Sequence, residues 1–401
     1  MKVPTLEDIR AARERIAPVI RETPLRFSES ISLMVGYPVH FKLENHQKTG
    51  SFKLRGAANR ILGGSVSPAG VIAASAGNHA QGVAFAASQA KLSATIVMPV
   101  GAPITKVDAT RSYGARVIQQ GANYDECYQV ATKLGKEDGL EYIHAFDDPL
   151  IIAGQGTIGL EVLEQLPQVE QVLIPLGGGG LASGIAAVIK EIRPSVRIIG
   201  VQAQGADAIY RSFRQGKLTE TETVSTIADG IAIKRPGELT TEMILKHVDT
   251  VLTVSYEEIA SAMLISLERL KTLVEGAGAV GLAAVMYRRD LLSRGNTAIV
   301  VSGGNVDVNL MARLIERGLF KTGRLAVLQV TVPDRPGNLQ RILNIVANMG
   351  ANVITINHDR ISHELPLEWT QITMSLETRN QAHIDELVRE LRGQGIFIKV
   401  V

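Results

Sequence analysis

Over roughly the first 320 residues, short apolar runs rich in β-branched residues alternate with Ala-rich helical stretches, and no other feature constrains the fold as much. Strands buried on both faces read as continuous apolar runs, and parallel strands need a helical crossover between them. The runs that qualify are Val71–Ser75, Thr95–Pro99, Arg116–Gln119, Val172–Leu176, Arg197–Val201 and Ala298–Ser302, each short and bounded by turn residues. The pattern predicts an α/β protein with parallel sheets covered by helices. At 401 residues the chain exceeds one core of the usual size, so two or three domains are expected.

The alternation stops after Ile315. Glu316 to Arg324 carries two Gly and four charges without a helical period, which places a boundary there. Beyond it the chain reads strand (Leu325–Val332), helix (Asn338–Met349), strand (Asn352–Asp359), strand (Glu368–Leu376), helix (Gln381–Arg392), strand (Phe397–Val401). This βαββαβ order is the ferredoxin-like plan.

Composition removes several function classes. Forty-two Lys and Arg against 40 Asp and Glu leave a balance of +2, which offers no electrostatic footprint for nucleic acid or an anionic membrane. Cys127 is the sole cysteine, so neither an internal disulfide nor a multi-thiolate metal site can form. No apolar run approaches the roughly 20 residues that cross a bilayer, and the N-terminal residues lack a secretory apolar region. A soluble cytoplasmic protein is expected.

Three expected strands end in small, Gly-bearing turns: Ser75-Ala76-Gly77-Asn78-His79, Gly177-Gly178-Gly179-Gly180-Leu181 and Ser302-Gly303-Gly304-Asn305. In open α/β sheets the carboxyl ends of strands are where ligands bind, so the three turns predict one shared cleft. Four consecutive glycines let the backbone approach an anion, and the helix expected at Leu181–Ile192 would aim its N–H groups and positive dipole end at it. A phosphate suits such a turn, while tight strand–helix packing would also explain some of the glycines. Gly177, Gly179 and Ala182 satisfy a loosened dinucleotide fingerprint too, but Gln202 follows the next strand where that fold requires an acid.

Lys53 lies in Ser51-Phe52-Lys53-Leu54-Arg55-Gly56-Ala57. With Ser51 as the expected cap of an Ala-rich helix, Lys53 falls in the first turn, where a cation opposes the helix dipole. Burial there would depress the amine, as a Schiff-base lysine requires.

Taken together, the Ser51–Ala57 string, Ser75-Ala76-Gly77-Asn78-His79-Ala80-Gln81-Gly82, the tetraglycine loop and Ser302-Gly303-Gly304-Asn305 resemble the fold-type-II, tryptophan-synthase-beta-like pyridoxal-phosphate enzymes, and among them the threonine dehydratases. The tail, with Pro333-Asp334-Arg335-Pro336-Gly337-Asn338-Leu339 at its first strand–helix turn, resembles an ACT domain, a small-ligand regulatory module. The resemblance implies a large cofactor-binding domain at 1–65 and 149–318, a small cleft domain at 66–148, and the regulatory unit at 325–401.

It further implies roles. Lys53 would carry pyridoxal 5′-phosphate, with Phe52 beside the ring, Asn78 on its 3′-oxygen, Gly177, Gly178, Gly179, Gly180 and Leu181 on its phosphate, and Ser302 at its pyridine nitrogen. Ser75, Ala76, Gly77, Asn78 and His79 would take the substrate carboxylate. A hydroxyl at the ring nitrogen does not keep it protonated as a carboxylate would, which favours β-elimination over transamination. The implied reaction turns L-threonine, or L-serine, into a 2-oxo acid and ammonia. Related serine racemases carry a serine where this chain has Ala76, so racemisation would lack its second proton donor. Metal-binding relatives carry carboxylates at the positions of Gln202 and Ala208, so no divalent metal is expected. Asp334, Gly337, Asn338 and Leu339 would bind a small amino acid such as isoleucine or valine, in a homodimer or homotetramer. A non-catalytic amino-acid sensor is the competing class, and the Lys53, Asn78 and Ser302 set argues against it.

Overall fold

The computed structural model describes residues 2–64, 66–360 and 365–401, so the expected boundary at 65 lies outside the described residues. Among these, the strands are β1 (Leu25–Phe27), β2 (Val39–Leu43), β3 (Val71–Ala74), β4 (Ala94–Met98), β5 (Arg116–Gln119), β6 (Glu141–Tyr142), β7 (Gln171–Pro175), β8 (Arg197–Ala203), β9 (Thr250–Val254), β10 (Thr297–Val301), β11 (Leu325–Pro333), β12 (Asn352–Asp359), β13 (Trp369–Glu377) and β14 (Phe397–Val400). One compact unit ends at Val306 and a second begins at Asp307.

The first unit holds two sheets. The larger has the order β1-β2-β10-β7-β8-β9 and is parallel except for β1. The smaller, β5-β4-β3-β6, is entirely parallel. The expectation of buried strands holds for β3, β4, β7 and β10, which are buried along their whole length, but not for β5, an edge strand whose residues are half-buried or exposed. Strands β1, β2, β6 and β9 were not among the expected runs. In β2 the reason is local, because Lys42 interrupts the apolar run yet is fully buried, its ammonium paired with Glu161.

Three helices pack at unusually short range beside the larger sheet: Lys53–Gly63, Pro149–Gln165 and Gly180–Ile192. A Cβ on Gly154 would lie 2.5 Å from the Arg55 carbonyl oxygen, and one on Gly184 would run into that of Ile152. Mid-helix glycine costs about 1 kcal/mol against alanine. Here it allows backbones to touch, which fixes the helix that starts with Lys53.

The second unit comprises the helix Val308–Lys321 and the antiparallel sheet β12-β13-β11-β14. Strands β11 and β13 alternate between buried and more exposed residues, and the helices Asn338–Asn348 and Gln381–Gly393 supply Ile342, Val346, Ile384, Leu387 and Leu391 to the core on one face. The ferredoxin-like order stands. The irregular boundary expected at Glu316–Arg324 does not: the helix runs through Gly318 to Lys321, capped at its start by Asp307 and burying Met311 and Leu314. One glycine and a charged outer face are tolerated in a helix that buries a stripe.

Candidate active site

Adjacent strands β10 and β7 end in Ser302 and in the loop from Gly177, and β3 of the smaller sheet ends in Ser75. Each glycine of the tetraglycine loop is required by packing. A Cβ on Gly177 would approach Ile231 Cα at 2.9 Å, one on Gly178 would run into the Phe146 ring, one on Gly179 would meet Thr240 Cβ at 2.8 Å, and one on Gly180 the Phe146 carbonyl oxygen at 2.9 Å. Gly179 also has φ +96°, a left-handed conformation. Packing alone does not exhaust the loop, however. The residues Gly177 to Ala182 are buried, and among the described residues their N–H groups find no protein acceptor. Buried N–H groups are nearly always paired, and these lie at the positive end of the Gly180–Ile192 helix. They suit an anion with several oxygens.

The segment Ala145–Phe146, just before the helix Pro149–Gln165, meets both the amine and this loop. Lys53 Nζ donates to the Ala145 carbonyl at 2.8 Å and lies 5.2 Å from the centre of the Phe52 ring. The next residue, Phe146, packs on Gly178 and Gly180. Loss of solvation pulls the Lys53 ammonium down to about 8, with Glu275 pulling weakly the other way. Ser51 does not cap this helix, contrary to expectation. Phe52 occupies the cap position without a side-chain bond, and Ser51 Oγ is buried with no partner among the described residues, because residue 51 instead pairs across to Gly303.

The Ser75–His79 turn is built differently from a plain cap. Gly77 precedes the helix Asn78–Gln89 and its N–H binds Ser75 Oγ at 3.1 Å. Asn78 does not cap; its Nδ2 donates to Glu275 at 2.7 Å, and its Oδ1 accepts from Asn305 Nδ2 at 2.8 Å. His79 is buried and its Nε2 donates to the Ile143 carbonyl at 2.8 Å. Desolvation, with Lys53 nearby, lowers it to about 3, so it is neutral. Ala76 packs at the edge of the smaller lobe's core. Ser302 is buried at the end of β10, and its carbonyl accepts from Phe52 N–H at 3.0 Å, tying the strand end to the lysine turn.

Sequence reasoning missed Glu275 and the full role of Asn305. Glu275 stands before the helix Gly276–Tyr287, its N–H donating to the Gly303 carbonyl at 3.1 Å. Burial raises its carboxyl group to about 7, against the Asn78 bond and the pull of Lys106. No local motif marked it; its contact with Asn78 is visible only when the two lobes are brought together.

In the second unit, Gly337 has φ +92° and precedes the helix Asn338–Asn348. Asn338 Nδ2 donates to the Pro333 carbonyl at 2.8 Å, Asp334 pairs with Arg360 at 2.7 Å, and Leu339 packs against the core. The four expected residues share one turn.

Comparison with known proteins shows the family of the chain. A model of the family described as pyridoxal-phosphate dependent enzyme matches residues 16–303, and an ACT domain model matches residues 322–395. An L-threonine ammonia-lyase from Thermotoga maritima is 47% identical over 399 residues, 99% of each chain. A protein of the same name from Geobacter sulfurreducens is 47% identical over 98% of each chain. Among solved structures, maize serine racemase superposes with a TM-score of 0.75 at 38% identity, over 80% of this chain and 99% of that one. The processed form of threonine deaminase isoform 2 from Solanum lycopersicum gives 0.74 at 38% identity, over 78% and 91%. The residues present fit the cofactor that the family name specifies: unpaired N–H groups for a phosphate, and a lysine with a depressed pKa for an aldehyde. The chain therefore belongs to the pyridoxal-phosphate dependent enzymes, with an ACT domain at its C-terminal end.

Proposed function

We propose that the protein is a threonine dehydratase: L-threonine loses its β-hydroxyl as water, and the resulting enamine takes up one water to release ammonia and 2-oxobutanoate, so that the net products are 2-oxobutanoate and ammonia. The observation that carries the reading is the Ala145–Phe146 step: it accepts the Lys53 ammonium and packs on the glycines whose N–H groups lack acceptors, so amine and anion cradle share one wall. The full-length relatives named L-threonine ammonia-lyase support the choice of substrate.

Lys53 would hold pyridoxal 5′-phosphate and serve as base at the substrate Cα, since lowering the amine to about 8 brings it far closer to neutral pH than an ordinary lysine. Gly177 to Leu181 would hold the phosphate by N–H donation, Phe52 would flank the ring, Asn78 would donate to its 3′-oxygen, and Ser302 would face its nitrogen. Once bound, the cofactor withdraws electrons from the substrate's α-carbon. The turn from Ser75 through Ala76 and Gly77 to Asn78 would bind the substrate carboxylate by its N–H groups. His79, neutral and bonded to Ile143, would hold the turn in place and take no proton. Serine would be a second substrate, because one methyl in an apolar pocket is worth only about 1–3 kcal/mol. At Gln202, Oε1 accepts from Tyr210 N–H at 2.8 Å and leaves the amide donor as the free end, so no divalent ion would bind there.

We assign 1–65 with the part from 149 to the end of the first unit to the large lobe and 66–148 to the small one. The second unit would bind isoleucine or valine at Asp334, Gly337, Asn338 and Leu339, and pair with another copy as a homodimer or homotetramer. Support comes from the outer strand β12, which leaves Ile354 and Ile356 exposed along an edge that a second sheet would cover. The lone cysteine and balanced charge fit a cytoplasmic enzyme. Incubating the purified protein with L-threonine, and assaying 2-oxobutanoate and ammonia in equal amounts, tests the activity. Failure to form either product with the cofactor bound refutes it. Titration calorimetry with isoleucine and valine tests the effector reading, which fails if neither binds.

A further inference from the structure

Asn78 can satisfy its proposed role only if its amide is turned one way, and the structure contains a chain of hydrogen bonds that turns it. The chain starts at the Thr49 backbone carbonyl, which can only accept; Asn305 Nδ2 donates to it at 2.8 Å. The same nitrogen donates to Asn78 Oδ1 at 2.8 Å. Asn78 must then present its Nδ2 on the other side, where Glu275 Oε1 accepts at 2.7 Å. One N–H of Asn78 is left over. Glu275 is itself fixed: its N–H is bound to the Gly303 carbonyl, and a Cβ on Gly303 would run into Glu275 Oε1, so that position has room for the carboxyl group only while residue 303 is glycine.

We propose that Glu275 and Asn305 are positioning residues that lock the Asn78 amide with its spare N–H toward the 3′-oxygen of the cofactor. The inference rests on the reading of Asn78 given above. Without the two clamps the amide is free to turn and offer its carbonyl oxygen to an oxygen that carries negative charge. The charged groups acting on Glu275 are Lys106 from the small lobe, Asp229 from the large one, and Lys53. Its carboxyl group, held near 7, accepts from Asn78 in either protonation state.

The test uses the full chain. Cofactor-free wild type, E275A, E275Q, N305A and N78A are titrated with pyridoxal 5′-phosphate, and the visible absorbance of each loaded protein is followed against pH. E275A and N305A are expected to bind the cofactor roughly 10-fold more weakly, the loss of one hydrogen bond to a charged partner. E275Q, which can still accept from Asn78, should stay within about threefold of wild type. Its absorbance should titrate at lower pH, because a negative charge that favours a protonated nitrogen at Lys53 is gone. Wild-type affinity and an unshifted pH profile in E275A, E275Q and N305A, with N78A impaired, would overturn the clamp while leaving Asn78 in its role. Unchanged binding in N78A would remove the role of Asn78 and the clamp with it. Should E275A fail to fold by circular dichroism, E275Q and N305A decide.

Discussion

Replacing Arg55 by Met tests the packing that holds the lysine helix in place. Arg55, Lys42, Glu44 and Glu161 form a buried cluster of two cations and two anions. Arg55 donates to both Glu44 oxygens at 2.8 Å and to Glu161 at 2.5 and 2.9 Å. Its substitution by Met leaves two carboxylates facing Lys42 alone, a net buried negative charge. Breaking a buried pair from one side costs about 3–5 kcal/mol, because the remaining charge is unsolvated. Loss of two bidentate contacts places R55M toward the upper end. The control is R235M, which breaks an exposed pair with Glu220 and should cost less than about 1 kcal/mol. Urea unfolding followed by circular dichroism measures both. The pH dependence has a fixed sign. Burial opposes ionisation of Glu161, but Arg55 and Lys42 hold its pKa below the ordinary value. Its stabilisation is therefore present above a pH of about 4.3 and lost as pH falls through the depressed folded value. In R55M burial acts with less opposition, so the gap between variant and wild type should narrow in acid. A cost near that of R235M, or a gap that widens in acid, would refute the reasoning.

Three further outcomes follow from the site. Gly179→Ala should weaken pyridoxal-phosphate binding at least tenfold: the left-handed backbone costs about 1–2 kcal/mol and the clash with Thr240 a further 1–3 kcal/mol or so, and wild-type affinity would contradict the packing account. The rate at which cofactor-free protein captures pyridoxal phosphate should rise with pH through about 8, since only the neutral Lys53 amine attacks; a midpoint near 10 would show that burial does not depress it. Ala76→Ser should add measurable D-serine formation from L-serine by chiral chromatography, and no increase over the parent would mean that a hydroxyl at this position does not reach the face opposite Lys53.

The sequence announced the parallel architecture because β3, β4, β7 and β10 are buried on both faces, and burial leaves an unbroken apolar record. It was silent on β2 because a buried Lys42 looks like surface until Glu161, from a distant helix, is placed against it. Helix continuity through Glu316–Lys321 was hidden by Gly318 and by charges on the outer face. At the site, Lys53 and the tetraglycine loop stood out through unusual local chemistry. Glu275 did not, since an acid before a Gly- and Ala-rich helix is unremarkable until the small lobe brings Asn78 to within 2.7 Å. Ser51 was misread as a cap because its neighbours favour a helix, whereas its backbone is taken by Gly303.

The central claim is that Lys53 carries the cofactor above the tetraglycine cradle. Reducing the loaded full-length protein with borohydride fixes the cofactor to its lysine, and peptide mass mapping then finds which one. The account requires the added mass on the peptide containing Lys53 and its loss, together with the visible absorbance, in K53A. The added mass on any other lysine, or a K53A protein that still turns L-threonine into 2-oxobutanoate at the parent's rate, would contradict it.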